Sequence, residues 1–368
     1  MTLLITFLAA VFVFGLVIAI HESGHFMLAK WSGIQVNEFS IGMGPALVKK
    51  IWHGTQYSLR LLPIGGYVAM EGEDSPESRG EASEHGQEQA EPVIPPALRT
   101  GKPFNEVAVW KRFLTVAAGA MMNFVLGFVV LVLVVATQED SITSKTIYSI
   151  DDGALCGQTG LAANDTILAV NGRKCYVAND ILYELVRTEN YSANFTVRRD
   201  GKTVELTGVQ FDTWQDDAGE THMTLGFVVY GLKKTLPNVL REAFNSERYY
   251  GRIIFTSLAD LVRGRESIND LSGPVGIVSA IGTAASYGWG DLLDLLALIT
   301  VNLGIFNLLP FPALDGGKLV FLLVEGVTGY AVPDKVQGAL NLVGFACLFG
   351  LMLFATYNDV LRLLAGTL

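Results

Sequence analysis

The sequence predicts an α-helical polytopic membrane protein with four transmembrane helices, a β-hairpin loop at the membrane and one small external α/β domain. Three observations carry that prediction. Half of the 368 residues are apolar and only 17% are charged, against about 25% in soluble domains; mean hydropathy is +0.38. Four uncharged runs, Leu3 to Ile20, Phe113 to Thr137, Leu295 to Leu314 and Val336 to Asn358, match the roughly 20 apolar residues that a bilayer crossing needs. More than half of the chain lies outside those runs and carries strand, turn and linker patterns. The formal net charge of −10 argues against a nucleic-acid partner, which would meet a basic surface. The 39 Gly and 12 Pro form no regular repeat, which argues against a solenoid.

The elements follow in order. Residues 1–30 form transmembrane helix 1. A secretory signal peptide is the competing reading, but no basic residue precedes the apolar run and no small-residue cleavage site follows it. Residues 31–70 read as a β-loop region, with a β-rich stretch from Gln56 to Leu62 and turn glycines at 42, 44, 54, 65 and 66. Residues 71–100 hold eight acidic side chains and few aromatics, a composition that cannot bury a core and reads as a disordered acidic linker. Residues 101–137 are a lead-in and transmembrane helix 2. Flanking charge sets the orientation: Lys30, Lys111 and Arg112 border the loop of about 31–112 and make it cytoplasmic, while Glu139 and Asp140 lie on the other side. Both termini are then external.

Residues 138–230 form the external domain. Thr166 to Val170 is a strand closed by Asn171-Gly172, and Val177 to Thr188 has helical spacing. Asn194 to Arg199 and Thr203 to Val209 flank Asp200-Gly201, a hairpin signature. Residues 231–290 are an amphipathic segment and lead-in, with 236–265 lying along the membrane surface or packed on the domain. Residues 291–317 are transmembrane helix 3 with its acidic end, and 318–368 a loop and transmembrane helix 4. Cys156 and Cys175 both fall in the external domain; two unpaired thiols are the reading preferred over a disulfide.

The chemistry centres on His21-Glu22-Ser23-Gly24-His25. On a helix, His at i and i+4 share a face and can hold one metal, while Glu22 is placed to act as a general base toward water. Burying such groups at the end of a membrane span costs several kcal/mol unless they are paired or ligating. A hydrolytic zinc site needs a third protein ligand and an open position. His53, His85 and His222 lie in loops and are poor candidates. Asp315, in Asn307-Leu308-Leu309-Pro310-Phe311-Pro312-Ala313-Leu314-Asp315-Gly316-Gly317, is placed by the charge-based topology at the same membrane face as the His pair. A plain turn at Asp315-Gly316 is the alternative.

These runs, on the first and third of four spans, resemble the site-2 protease family, and within it the bacterial regulator-of-sigma-E type that carries a PDZ domain. Phe39 to Pro45 resembles the family's glycine-rich turn, Leu62 to Val68 its membrane-associated β-loop, and Leu271 to Ile277 its segment before the third span. Gly160-Leu161 with Asn164 to Gly172 looks like a PDZ domain. The resemblance implies an intramembrane zinc metalloprotease of the bacterial inner membrane: His21, His25 and Asp315 hold Zn2+, Glu22 is the catalytic base, and Asn307 holds substrate near the metal. Its substrates would be single-span membrane proteins, such as an anti-sigma factor or remnant signal peptides, cut within the bilayer. A β-like edge near the site, in Gln56 to Leu62 or Gly65 to Met70, could take up an unwound substrate by strand addition, with Gly65, Gly66 and Tyr67 as substrate-binding candidates. A peptide ligand of the PDZ-like domain stays open, as does that domain's role as substrate filter or recruiter.

Two departures from the family pattern stand out. Ala118-Gly119-Ala120 lacks the proline usual after Ala-Gly at the start of the second span, and the acidic linker looks like an insertion. Two other functions compete. A catalytically silent zinc-stabilised scaffold presenting the PDZ-like domain would not need Glu22. A transporter path through Asn302, Asn307 and Asp315 lacks the internal repeat expected of that class.

Overall fold

The computed structural model describes residues 2–73, 94–137, 141–216, 219–265 and 267–366. In chain order the elements are α1 (Thr2–Ser32), β1 (Val36–Trp52), β2 (Thr55–Met70), α2 (Val109–Thr137), β3 (Ser141–Ile150), α3 (Leu155–Gln158), β4 (Thr166–Val170), β5 (Arg173–Lys174), α4 (Ala178–Val186), β6 (Ser192–Arg199), β7 (Lys202–Gln210), β8 (Asp212–Gln215), β9 (Thr221–Thr224), β10 (Phe227–Lys233), α5 (Leu236–Val262), α6 (Pro274–Tyr287), α7 (Trp289–Leu308), α8 (Asp315–Thr328) and α9 (Asp334–Ala365). The chain divides into two compact units, residues 1–130 with 254–368, and residues 131–253. Most of the acidic linker, 74–93, lies outside the described residues.

The first unit carries the apolar helices. Among the described residues α1, α2, α7 and α9 are long and apolar enough to cross a membrane, so the chain is a membrane protein with added β-sheet. The third apolar run does not continue as one helix to Leu314. Helix α7 stops at Leu308, where Leu309 turns extended, because Pro310 and Pro312 cannot continue the hydrogen-bond ladder. Asp315 then opens a separate helix, α8. The lead-in before the third span holds a short apolar helix, α6, begun by Pro274 at its first turn. It is anchored on α9, where the fully buried Asp359 accepts a 2.8 Å hydrogen bond from Gly276 N–H.

The β-loop is more elaborate than a hairpin. β1 and β2 are each bent, and residues 38–41 pair on two sides: with Gln56 to Leu59 and with Gly66 to Ala69. Ala46 to Trp52 turns back onto Thr55 to Arg60. The order across the sheet is therefore 46–52, 55–60, 36–41, 66–70. Gln56 to Leu59 is thus interior and cannot offer a free edge; among the described residues Gly66 to Met70 lies at the sheet's margin. A buried ion pair fixes that edge from below. Arg60 Nη2 donates to Glu38 Oε1 at 2.8 Å and also reaches the Tyr67 hydroxyl, which itself donates to Glu38 Oε2 at 2.8 Å. Burial, with the Glu38 carboxylate beside it, pushes the Tyr67 hydroxyl up to about 12, so it remains a donor.

The second unit is a small α/β domain. Its antiparallel sheet runs β10-β3-β4-β6-β7, with β5 beside β4. The two hairpin signatures are realised: Asn171 and Gly172, and Asp200 and Gly201, all have positive φ, the conformation that tight two-residue turns demand. Ile147, Ile167, Val170, Ile181, Leu185, Phe195 and Val197 fill the core. The domain extends past residue 230, because β10 closes the sheet against β3 as far as Lys233. The first part of α5 packs on the domain: Arg252 meets the buried Asp180 at 2.8 Å and Glu184 at 3.4 Å. Cys156 and Cys175 are both buried and free, and burial pushes the Cys175 thiol up to about 12.

Candidate metal centre

Helix α1 puts His21 and His25 one turn apart on a common face, as their spacing requires. The two Nε2 atoms are 3.3 Å apart, and Asp315 Oδ2 lies 3.4 Å from each. Asp315 reaches them from the first turn of α8, brought there by the break at Leu309 to Leu314. Three oxygen and nitrogen donors thus form a nearly equilateral triangle. Ligands held about 2.0–2.1 Å from a tetrahedral zinc stand about 3.3–3.4 Å from one another, so the spacing fits that ion. Asp315 Oδ2 is buried and has no hydrogen-bond partner, as expected of an oxygen reserved for a metal. The donor set, two imidazoles and one carboxylate, suits zinc and leaves a fourth position open.

Helix α2 supplies the wall behind this cluster, through residues to which the sequence alone assigns no part in the site. Thr115, Gly119 and Asn123 are spaced by four and share one face. The Thr115 carbonyl accepts from His25 Nδ1 at 2.9 Å. Asn123 Nδ2 lies 3.2 Å from His21 Nδ1. A Cβ on Gly119 would stand 2.2 Å from His25 Nε2. The available signal was Asn123 as the lone amide within an apolar run, since polar groups at membrane depth have partners.

Of the other predicted residues, Asn307 on α7 brings Nδ2 to 3.4 Å from His21 Nε2. Glu22 lies close enough to His25, His21 and Asp315 to interact electrostatically with each. Gly66 lies against it: a Cβ there would stand 3.0 Å from Glu22 Cγ and Ile18 Cγ2, so a larger residue would have to push these side chains aside. Tyr67 follows Gly66 on a strand and its hydroxyl is engaged with Glu38 and Arg60. Gly65 occupies the bend that leads into the edge, with φ of 80°.

Two ion pairs hold α8 in place. Lys318 donates to Glu73 at 2.8 Å. Three turns beyond Asp315, Glu325 accepts two hydrogen bonds from Arg112 of α2, at 3.0 and 2.6 Å. Arg112 is buried, and removing one partner of such a pair costs about 3–5 kcal/mol by stranding the other. Arg112→Ala should therefore lower the melting temperature in detergent and loosen zinc. Lys318→Ala, in the more exposed pair, should change either quantity little. Equal effects of the two variants would mean that the α2–α8 clamp has no special part in holding Asp315.

Two histidines, an aspartate and a neighbouring glutamate gathered around one point among apolar helices form a candidate site for a metallohydrolase. The chain belongs to peptidase family M50, whose model matches residues 9–351. It is similar to the regulator of sigma-W protease RasP of Bacillus subtilis, with 31% identity over 97% of this chain and 99% of that protein. It is also similar to the zinc metalloprotease RasP of Geobacillus kaustophilus, with 31% identity over 95% of this chain and 96% of the relative. The protein is thus a zinc metalloprotease of the site-2 type.

Proposed function

We propose that the protein hydrolyses peptide bonds within transmembrane segments of single-span membrane proteins, at a zinc held by His21, His25 and Asp315. One observation carries this reading: three donors 3.3–3.4 Å apart, beside Glu22, two of them on a helix apolar enough to cross a bilayer and the third on the short helix α8. When bound, zinc lowers the pKa of water toward 7 and polarises the scissile carbonyl. Glu22 takes the proton from the attacking water and delivers it to the departing amide nitrogen. Asn307, with its amide at His21, orients the substrate carbonyl. The free edge at Gly66 to Met70 receives the unwound segment by main-chain hydrogen bonds; Gly65 and Gly66 let the edge lie close to Glu22, and Tyr67 fixes the edge from its other face.

Flanking charge supports an inner-membrane orientation with the His pair toward the cytoplasm, both termini external, and four spans. The α/β domain of 141–233 is then external and PDZ-like, able to take a peptide ligand. The name of the Bacillus relative, a regulator of sigma-W, makes an anti-sigma factor the first substrate to try; remnant signal peptides are the second. The test uses purified full-length protein in lipid vesicles with a single-span peptide. Wild type should contain one zinc and yield a product cut inside the apolar segment. Asp315→Ala should lose both zinc and product, because two imidazoles alone hold the ion weakly. Unchanged zinc content in Asp315→Ala would place the third ligand elsewhere.

A further inference from the structure

The two histidines receive different partners at their outer nitrogens, and the difference assigns a role to Asn123. His25 Nδ1 faces the Thr115 carbonyl at 2.9 Å. A carbonyl only accepts, so His25 carries its proton on Nδ1 and keeps the Nε2 lone pair for a metal. His21 presents Nε2 to the same point, 3.3 Å from His25 Nε2 and 3.4 Å from Asp315 Oδ2. It needs the same tautomer, and hence an acceptor at Nδ1. The group there is the fully buried amide of Asn123, with Nδ2 at 3.2 Å, while Asn123 Oδ1 is buried without a partner. An amide N–H donating to Nδ1 would put the His21 proton on Nε2 and block ligation. The two ends of a carboxamide have nearly the same shape, and a half-turn of the side chain exchanges them.

We propose that Asn123 is a positioning residue for the metal: with zinc bound, its Oδ1 accepts a hydrogen bond from His21 Nδ1–H and fixes the tautomer that leaves Nε2 free. Its location supports this. Asn123 lies one turn from Gly119 and two from Thr115, so a single face of α2 sets the orientation of both imidazoles. An amide in an otherwise apolar stretch of a membrane helix is costly unless it is bonded, and His21 is the partner that the structure gives it. Outer partners of this kind typically change metal affinity about 10–100-fold when removed.

The inference rests on the zinc reading of the His21, His25 and Asp315 cluster, and the experiment separates the two. Full-length protein in detergent is titrated with zinc against a chromophoric chelator, and the metal-free melting temperature is recorded beside it. Asn123→Leu keeps the size and removes the acceptor; its zinc affinity should fall about 10–100-fold with the metal-free melting temperature held or raised. Asn123→Asp keeps an acceptor at Nδ1 and should bind zinc within a few-fold of wild type. A leucine variant that binds zinc like wild type overturns the proposal, and so does an aspartate variant that folds but binds as weakly as the leucine variant. If the aspartate variant cannot be isolated, the leucine variant alone decides. Asp315→Ala run in parallel reports on the cluster: if it keeps zinc, the zinc reading fails, whereas if only it loses zinc, the role of Asn123 fails.

Discussion

Glu22→Gln should reduce cleavage of a membrane-embedded peptide about 10²–10⁴-fold, the usual contribution of a general base, while zinc content stays at the wild-type value. The glutamine is nearly isosteric, so its fit against Gly66 is kept. What changes is basicity: an amide cannot accept the water proton, and the three donors at His21, His25 and Asp315 are untouched. The measurement is zinc per protein beside the initial rate on one substrate. A rate within tenfold of wild type would remove Glu22 from proton transfer. Loss of zinc together with rate would instead give it a part in holding the cluster together.

The candidate metal centre was legible to different depths for reasons rooted in the chemistry. His21, Glu22 and His25 stand out because helical spacing alone brings i and i+4 together, so no tertiary knowledge is needed. Asp315 is legible because a carboxylate closing an apolar run is costly without a partner. The actual end of that helix is less so: Leu309 to Leu314 is still apolar, and only the two prolines signal that α7 has ended six residues earlier. Thr115 and Asn123 do not stand out, and Gly119 does so only within Ala118-Gly119-Ala120, because threonine and glycine blend into an apolar span and leave the i, i+4, i+8 stripe marked by one amide. In the α/β domain the Asn171-Gly172 and Asp200-Gly201 turns were readable because positive φ selects those residue types locally. The doubling of β1 and β2 was not, since the pairing of 38–41 on both sides depends on which distant strand arrives. Of the two candidate edges, that pairing places Gln56 to Leu59 inside the sheet and leaves Gly66 to Met70 at its margin. It also gave Tyr67 a hydroxyl partner in Glu38 that no local pattern could announce.

Gly119→Ala, one added methyl group, should remove more zinc than many larger changes elsewhere in the chain. The new Cβ would lie 2.2 Å from His25 Nε2, 2.6 Å from His25 Cε1 and 2.8 Å from His21 Cε1, far inside van der Waals contact and against the proposed ligand atom itself. The His25 ring cannot simply swing aside without losing its Nδ1 bond to the Thr115 carbonyl, 2.9 Å away. Separating the helices would give up the close packing of α1 on α2 at Gly24, where a Cβ would stand 2.4 Å from the Ala118 carbonyl oxygen. Overpacking of this kind costs about 1–3 kcal/mol of stability, and here the strain falls on the donor triangle. Zinc affinity should drop by about 100-fold or more, since the displacement affects a ligand itself and loss of its outer partner alone already costs about 10–100-fold. Turnover should fall with it. Gly15→Ala on α1, where a Cβ meets nothing within 4 Å, is the matched control and should be neutral or slightly stabilising, as alanine is in a helix. Full zinc retention in Gly119→Ala would mean that α1 and α2 can part without cost, and the α2 face could then not be what orients the two imidazoles.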